Sequence, residues 1–239
     1  MRVAALYDIH GNRPALQAVL AEIAREGVET VVCGGDVVGG PFPAQALDVL
    51  ARLPDVRYLR GNGDREVLEG TDAHGVDWEV ERARLGPDRL AAVRSWPLTV
   101  ELEVEALGRV LFCHAVPSSE DPIFTRITPD DDVLALLGPT DADVLVVGHT
   151  HVQFDRVLST GLRVVNAGSV GMPYEGRRGA FWALLGPDVE LRRTEYDVDA
   201  AAALVRESGA QGADDHARRL LEPPGPDEAT SFFESARGS

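Results

Sequence analysis

The sequence has few of the features that mark secreted or membrane-bound proteins. Only two of its 239 residues are cysteines, Cys33 and Cys113, and each lies in a short apolar run typical of a buried strand. Two such thiols indicate a reducing compartment rather than a disulfide framework. No apolar stretch approaches the roughly 20 residues that a membrane-spanning helix needs, and Asp8 interrupts the first apolar run too early for a signal peptide. We therefore expect a cytoplasmic protein that does not enter a membrane.

Basic side chains are also scarce. The chain has 23 basic against 39 acidic residues, which gives a formal net charge of −16. Such a surface repels the phosphate backbone of DNA and RNA, so we expect no long nucleic acid as a partner. A small anionic substrate stays open, because bound divalent metals can reverse the local field. Homo-oligomer formation stays open as well.

Long low-complexity runs are absent, and 44% of the residues are hydrophobic, enough for one sizeable core. We interpret residues 1–239 as a single domain, with a helical insertion at about 72–97 and a helical tail at about 198–239. In the first third, apolar runs at 3–7, 30–33 and 56–59 alternate with helical spacing at 14–26 and 44–53. This rhythm predicts a parallel sheet built from βαβ units.

The later sequence indicates hairpins rather than βαβ units. Predicted strands lie at 98–104, 109–113, 144–147, 154–158, 163–166, 180–185 and 190–196, and predicted helices at 130–137, 200–207 and 215–221. Three prolines, Pro223, Pro224 and Pro226, are expected to interrupt the tail, and the last residues are expected to fray. The insertion contains Trp78 and is followed by Trp96, which either cover a substrate as part of a lid or anchor the insertion.

Five predicted strands end in residues that commonly bind metals. These residues are Asp8, His10, Asp36, Asn62, His114, His149 and His151. Four of the six histidines stand at these ends, and only His74 and His216 do not. Functional sites in open α/β sheets gather outside the carboxyl ends of strands, so we expect these side chains to meet.

Each of these motifs has an ordinary explanation when taken alone. Gly-Asp and Gly-Asn are common turn dipeptides, and a single histidine is often a core residue. Five strands with such ends are much harder to explain by turn chemistry. Carboxylate, imidazole and amide ligands suit Mn, Fe, Zn, Co or Ni. Two such cations, roughly 3.5–4 Å apart, need a bridging carboxylate, for which Asp36 is the natural choice, and a hydroxide shared between them would be the nucleophile.

The motifs Asp8-Ile9-His10, Gly35-Asp36, Gly61-Asn62, His114 and Gly148-His149-Thr150-His151 together resemble the calcineurin-like metallophosphoesterase signature. The resemblance runs from the first strand to Met172, and the segments around His114 and Asn166 resemble the small bacterial phosphodiesterase branch. It implies an α/β fold, a four-layer α/β/β/α sandwich, here with a helical insertion. It also implies that Asp8, His10 and His151 hold one metal, that Asn62, His114 and His149 hold the other, and that Asp36 bridges them. Asp36, Asn62 and His114 would thereby be catalytic.

The third motif departs from the family pattern. Family members often have Gly-Asn-His, whereas this chain has Gly61-Asn62-Gly63. The missing imidazole is commonly assigned to protonating the leaving oxygen or binding phosphate, and several members of the phosphodiesterase branch also lack it. The departure favours a diester over a monoester substrate. His74 could substitute for the imidazole, although a histidine in an exposed insertion is usually only solvated.

Four other residues are candidates for contact with a phosphate. Asn12 and Arg13 follow the first ligands and could bind substrate, but Asn12 also suits the N-cap of the helix that begins near Pro14. Arg177 and Arg178 could clamp substrate or simply be surface residues.

The sequence thus predicts a metal-dependent phosphoesterase, most simply a phosphodiesterase that acts on a small phosphate ester, for which a nucleotide-like group is one option. Two divalent transition-metal ions, Mn first, would be its cofactors. The alternatives are a phosphomonoesterase and a protein-binding scaffold with the same fold. Scaffolds tend to lose metal ligands, and all seven are present here.

Overall fold

The computed structural model describes residues 1–70 and 76–237, which form strands and helices in alternation. The strands are β1 (Val3–Leu6), β2 (Thr30–Gly34), β3 (Val56–Leu59), β4 (Thr99–Val104), β5 (Gly108–Cys113), β6 (Val144–Val147), β7 (Phe154–Val157), β8 (Arg163–Asn166), β9 (Ala180–Leu185) and β10 (Val189–Thr194). The helices are α1 (Arg13–Ile23), α2 (Pro43–Leu50), α3 (Asn62–Glu69), α4 (Trp78–Leu85), α5 (Pro87–Arg94), α6 (Asp130–Leu137), α7 (Val198–Glu207), α8 (Ala213–Leu221) and α9 (Pro226–Ala236).

The strands form two five-stranded sheets. The first has the order β10-β9-β1-β2-β3, and the second has the order β4-β5-β6-β8-β7. In the first sheet β1, β2 and β3 are parallel, whereas β9 and β10 join them antiparallel. In the second sheet β5, β6 and β8 are parallel, and β4 and β7 are antiparallel edge strands. The predicted parallel strands β1 to β3 and the hairpins β4–β5, β7–β8 and β9–β10 are confirmed. The prediction of hairpins rather than βαβ units was wrong for β5, α6 and β6, because β5 and β6 pair in parallel across the helix.

Alternation of side chains along β1 shows how the layers stack. Ala4 and Leu6 pack with the apolar faces of α1 and α2, whereas Val3, Ala5 and Tyr7 belong to the core between the two sheets. The opposite face of the second sheet packs against α6. Because successive strand residues point to opposite faces, one apolar strand serves two cores. The result is the four-layer α/β/β/α arrangement that the family resemblance implied.

The insertion extends the outer helical layer. Trp78, Leu85 and Val93 pack against the core formed by α1, α2 and the first sheet, and the ring of Trp96 stacks on Tyr58 at 4.8 Å between ring centroids. Of the two hypotheses for Trp78 and Trp96, the structure supports the one in which they anchor the insertion. Residues 71–75, and with them His74, lie outside the described residues.

Two helices were missed or misjudged from the sequence. Helix α3 begins at Asn62, where a turn was expected, because the carboxylate of Asp64 accepts the backbone N–H of Gly61 at 3.0 Å and caps the helix start. The prolines interrupt the tail between α8 and α9, as predicted, but the helix that Pro226 begins, α9, was not predicted. Proline is well suited to the first turn of a helix, where its missing N–H costs nothing. Among the described residues no helix is long and apolar enough to cross a membrane.

Candidate metal centre

The seven predicted ligands lie at the carboxyl ends of five parallel strands, β1, β2, β3, β5 and β6. The two sheets are joined next to these ends, where the hydroxyl of Tyr7 donates a buried hydrogen bond of 2.8 Å to the carbonyl of Val146. The N–H of Gly148 binds the carbonyl of His114 at 3.0 Å, and that of Asp8 binds the carbonyl of Gly35 at 3.1 Å. The strand ends from both sheets therefore form one edge.

The backbone at this edge is strained. Among the described non-glycine residues, six have a positive φ: Asp8 (52°), His10 (44°), Asp36 (50°), Ala106 (68°), His149 (67°) and His151 (57°). Each costs on the order of 1–3 kcal/mol relative to an ordinary conformation, and such strain gathers at functional sites. Five of the six are predicted metal ligands, so the strained backbone conformations are concentrated at this site.

Asp8, His10 and His151 form what we call the first half of the centre. The Oδ1 of Asp8 lies 3.1 Å from Nε2 of His151 and 3.9 Å from Nε2 of His10. The two Nε2 atoms are 3.2 Å apart. Asp8 is fully buried, and its Oδ1 has no hydrogen-bond partner, while its Oδ2 accepts the N–H of His149 at 3.0 Å. A buried carboxylate oxygen without a donor is costly unless a cation meets it.

Asn62, His114 and His149 form the second half. The Nε2 of His114 lies 3.1 Å from Oδ1 of Asn62, and the rings of His114 and His149 are 5.1 Å apart. Asp8, Asp36 and His114 bring one ligand atom each within 4.8 Å of the others.

Asp36 stands between the two halves. Its Oδ2 is 3.7 Å from Nε2 of His10, and its Oδ1 is 3.7 Å from Nε2 of His114. One oxygen thus faces each half, which is the arrangement that a bridging carboxylate requires. The donor set and the unpartnered Asp8 oxygen fit two divalent cations.

Backbone carbonyls orient two of the imidazoles. Nδ1 of His114 donates to the carbonyl of Gly34 at 2.9 Å, and Nδ1 of His151 donates to the carbonyl of Met172 at 2.7 Å. With the proton on Nδ1, the lone pair of each Nε2 faces the centre, as a metal ligand needs. His149 is turned the other way, because its Nε2 lies 3.2 Å from the carbonyl of Asp121, which leaves Nδ1 as its free nitrogen.

The electrostatics of the edge favour the metal-binding protonation states of Asp8, His10 and His149. For His114, burial lowers the pKa, but the charges of Asp36 and Asp8 outweigh it and raise the pKa above its usual value. Burial alone would raise the pKa of Asp8, but the interaction with His151, followed by His114 and His10, lowers it well below its usual value. Burial lowers the pKa of His10 and brings that of His149 to about 4. An ionised carboxylate and neutral imidazoles are the metal-binding forms.

Asp64 holds the loop of Asp36 against the helix of Asn62. Its Oδ1 accepts the N–H groups of Val37 and Val38, each at 3.0 Å, and its Oδ2 accepts that of Gly61. The side chain is fully buried. Burial, followed by the charge of Asp36, raises the pKa of Asp64 to about 7. Asp64 is therefore a positioning residue for ligands on both sides of it.

The predicted substrate contacts have other roles within the fold. Asn12 is fully buried and caps α1, because its Oδ1 accepts the N–H of Ala15 at 3.2 Å and its Nδ2 donates to the carbonyl of Gly171 at 2.9 Å. The guanidinium of Arg13 lies 5.4 Å from the ring centre of Phe42. Arg177 lies 5.7 Å from the ring centre of Phe181, and Arg178 donates to the carbonyl of Leu221 at 2.8 Å.

Three residues near the centre were not anticipated. The ring of Tyr174 stacks on His151 at 4.7 Å, and that of Phe233 lies 6.4 Å from His149. His216 has a buried Nε2 without a hydrogen-bond partner among the described residues, and burial, with the neighbouring His10 adding to the effect, lowers its pKa to about 4. All three lie outside the strand-end motifs, so no spacing signal could have found them.

A family description, "Calcineurin-like phosphoesterase superfamily domain", matches residues 1–185 of the chain. The chain belongs to this superfamily. Membership implies a hydrolase of phosphate esters and divalent metal ions at the edge described above. Strands β1 to β9 fall within the matched part, whereas β10 and helices α7, α8 and α9 follow it.

Similar proteins support this assignment at the level of fold. The chain is 30% identical over 227 residues to the uncharacterized protein MJ0912 of Methanocaldococcus jannaschii, with 83% of this chain and 89% of that protein covered. It resembles the crystal structure of a metallophosphoesterase from Sphaerobacter thermophilus, with 25% identity, a TM-score of 0.71, and 93% and 98% of the two chains covered. The hypothetical protein PH1004 from Pyrococcus horikoshii OT3 is 22% identical, with a TM-score of 0.78 and 94% and 99% covered.

Proposed function

We propose that the protein is a phosphodiesterase that uses two divalent metal ions to hydrolyse a small phosphodiester. The observation that carries this proposal is the convergence of both halves on Asp36, whose oxygens each lie 3.7 Å from one histidine nitrogen. Asp8, His10 and His151 would hold one ion, and Asn62, His114 and His149 the other. Mn²⁺ is the first candidate, with Fe, Zn, Ni and Co as others, and the cytoplasm remains the predicted location.

The ions would lower the pKa of an attacking water and offset negative charge on the phosphoryl oxygens. The protein's own contribution is to hold the ligands in place before substrate arrives. The Gly34 and Met172 carbonyls fix the imidazoles of His114 and His151, and the N–H of His149 fixes the carboxylate of Asp8. Contacts from Asn12 and Arg13 to substrate remain predictions.

The diester preference rests on Gly63. Its N–H donates to Oδ1 of Asp36 at 2.7 Å, and a side chain there would place Cβ only 3.1–3.3 Å from the Asp36 carboxylate. Glycine avoids this close approach, and because it has no side chain it leaves no general acid at the third motif. General acid catalysis contributes about 10²–10⁴-fold, so a monoester with a poor leaving group would lose most from its absence.

A paired assay tests the proposal. Metal-stripped protein is reconstituted with Mn²⁺ and given bis(p-nitrophenyl) phosphate and p-nitrophenyl phosphate in parallel. We expect the kcat/KM for the diester to exceed that for the monoester by at least about tenfold. Because p-nitrophenolate leaves readily without a general acid, this ratio reports the preferred class of ester rather than the missing imidazole. Faster cleavage of the monoester would make the protein a phosphomonoesterase. Silence on both, with two metals bound, would move the weight to a scaffold role.

A further inference from the structure

A small cavity adjoins the metal centre on the side of the C-terminal helices. It has a volume of about 260 Å³, and we call it the aromatic pocket, defined by Tyr174, Arg219, Glu228, Phe232 and Phe233. All of these except Tyr174 lie in α8 and α9, beyond the part of the chain that matches the family. The pocket is therefore built mostly by elements that the family domain does not supply.

Two walls of the pocket, Tyr174 and Phe233, lie beside predicted metal ligands. The ring of Tyr174 stacks on His151 at 4.7 Å and lies 6.3 Å from Phe233. Phe233 in turn lies 6.4 Å from His149. One wall of the pocket thus lies against the first half of the centre, and another lies beside the second.

The polar groups of the pocket are fixed in place. Arg219 donates to the hydroxyl of Tyr174 at 3.2 Å and to Oδ2 of Asp215 at 2.7 Å, and its guanidinium lies 5.9 Å from the ring centre of Tyr174. Arg219 thereby holds the Tyr174 ring in its stacked position. Glu228 adds acceptor oxygens at the rim.

Phe232 is the exposed wall of the pocket. Its side chain is 65% exposed, although it is a large apolar residue beside a functional site. It packs edge-on against Phe233 at 5.5 Å between ring centroids. Exposed aromatic rings beside fixed polar groups are typical of ligand sites.

The size of the pocket limits what can enter it. Its volume of about 260 Å³ is below the roughly 300–1,000 Å³ of sites for drug-sized ligands. A single planar ring system fits this volume, whereas a run of stacked nucleotides does not. The net charge of −16 also disfavours a polynucleotide.

We propose that the aromatic pocket binds a nucleobase of the substrate by stacking, while the phosphodiester lies at the metal centre. Every base has a face that can stack on aromatic side chains. The substrate class is then a nucleoside phosphodiester, a conclusion that rests on the proposed diesterase function.

Two esters that differ only in the base test this inference. The methyl ester of adenosine 5′-monophosphate and the methyl ester of ribose 5-phosphate carry the same reacting diester, and methanol release is followed in Mn²⁺-loaded protein. We expect the kcat/KM of the nucleoside ester to be higher by about tenfold or more, as stacking of one base predicts. In Phe232→Ala and Phe233→Ala proteins this ratio should fall to within about twofold of one.

Replacing Phe233 can alter metal binding, because its ring lies 6.4 Å from that of His149. A loss of metal slows the cleavage of both esters alike, so the ratio of their kcat/KM values does not change. Leu204→Ala is the matched control, because Leu204 is an apolar residue of α7 with 42% exposure and does not line the pocket. The control should keep the ratio of the unaltered protein. Loss of the ratio in the control as well would overturn the assignment of the ring to this pocket.

These experiments distinguish an error in the nucleobase-pocket proposal from an error in the proposed diesterase function. Equal cleavage of both esters by the unaltered protein would overturn the pocket and leave the diesterase standing. If neither ester is cleaved, calorimetric titration of adenosine 5′-monophosphate and ribose 5-phosphate into Mn²⁺-loaded protein decides. At least about tenfold tighter binding of the nucleotide, lost in Phe232→Ala protein, would support the pocket, and equal binding would overturn it.

Discussion

The two halves of the metal centre differ in the charge and the backbone strain of their ligands. In the first half, the Nε2 atoms of His10 and His151 lie 3.2 Å apart and converge on an oxygen of Asp8 that has no hydrogen-bond partner. All three residues have strained backbones. The first half therefore presents free ligand atoms, held in position before any ion binds.

In the second half, the residue that corresponds to Asp8 is Asn62, whose neutral amide oxygen lies 3.1 Å from Nε2 of His114. Nε2 of His149 faces the carbonyl of Asp121 at 3.2 Å, which leaves Nδ1 as its ligand atom, and of these three residues only His149 has a positive φ. Because ligand charge and rigidity raise the affinity of a site for a cation, we expect the first half to hold its ion more tightly.

The largest effect is expected when Asp36, the residue common to both halves, is replaced. Asp36→Asn should lower the kcat for a diester by about 10²–10³-fold, since positioned charge at the reacting group is worth this much. It should also leave fewer than two ions bound, because the amide supplies one acceptor oxygen instead of two. Activity is measured beside metal content and the cooperative unfolding transition. Asp48→Asn, a half-exposed carboxylate of α2, is the control, and full activity in Asp36→Asn protein would contradict the account.

Substituting a ligand in one half or the other distinguishes the two ions by the affinity that is lost. His151→Ala should weaken the tighter ion by about 100-fold or more, a larger effect than the 10–100-fold typical of residues that only orient ligands. His114→Ala should weaken mainly the other ion. Calorimetric titration of Mn²⁺ into each metal-free variant measures both affinities. Equal loss of both ions in either variant would show that the ligands are divided differently.

Asp64→Asn should affect both halves to an intermediate degree. One of the N–H groups of Val37, Val38 and Gly61 would lose its acceptor, which costs about 1–3 kcal/mol of unfolding free energy. Thermal denaturation should show a Tm lower by roughly 2–12 °C, and both metal affinities should fall about tenfold.

Asp197→Asn is the control for this variant, because Asp197 caps α7 through the N–H of Ala200 and asparagine caps about as well as aspartate. An unchanged Tm in Asp64→Asn protein would rule out the positioning role.

The smallest expected effect is confined to the second half. Arg65 donates hydrogen bonds of 2.7 and 2.8 Å to the carboxylate of Asp121, whose carbonyl faces His149. Partly exposed ion pairs contribute about 0.2–1 kcal/mol, so Arg65→Ala should weaken the second ion by about fivefold at most and spare the first.

Arg163→Ala matches this variant, because Arg163 makes the same two-bond contact to Asp155 in β7. It should leave both metal affinities unchanged. A larger loss of the first ion than of the second in Arg65→Ala protein would break the proposed difference between the halves.

The sequence predicted which side chains meet at one edge because these residues follow strands. A buried strand has a local signal, and the residue after its carboxyl end lies at a known edge of the sheet. The pattern of turn residues was misleading at Gly61 and Pro226, because both positions start a helix. Asp64 caps the start of α3, and proline suits the first turn of α9. Boundaries of this kind depend on contacts that the linear pattern does not contain.

The aromatic pocket was beyond the reach of the sequence. Tyr174, Arg219 and Phe233 are distant along the chain and meet only after α8 and α9 pack beside the metal centre. His216 lies outside the strand-end motifs, so the sequence did not connect it with the site. In the structure its ring lies close to Gly40, where an added Cβ would be 3.6 Å from Cε1 of His216. Contacts between elements that share no local motif are set by tertiary packing.

One measurement tests the central claim most directly. Mn²⁺ is added stepwise to metal-free protein, and bound ions per chain are counted in the same samples in which cleavage of bis(p-nitrophenyl) phosphate is followed. The account predicts that the first ion binds with little activity and that cleavage rises with the second. Full activity with one ion per chain, or two bound ions without cleavage of the diester, would contradict it.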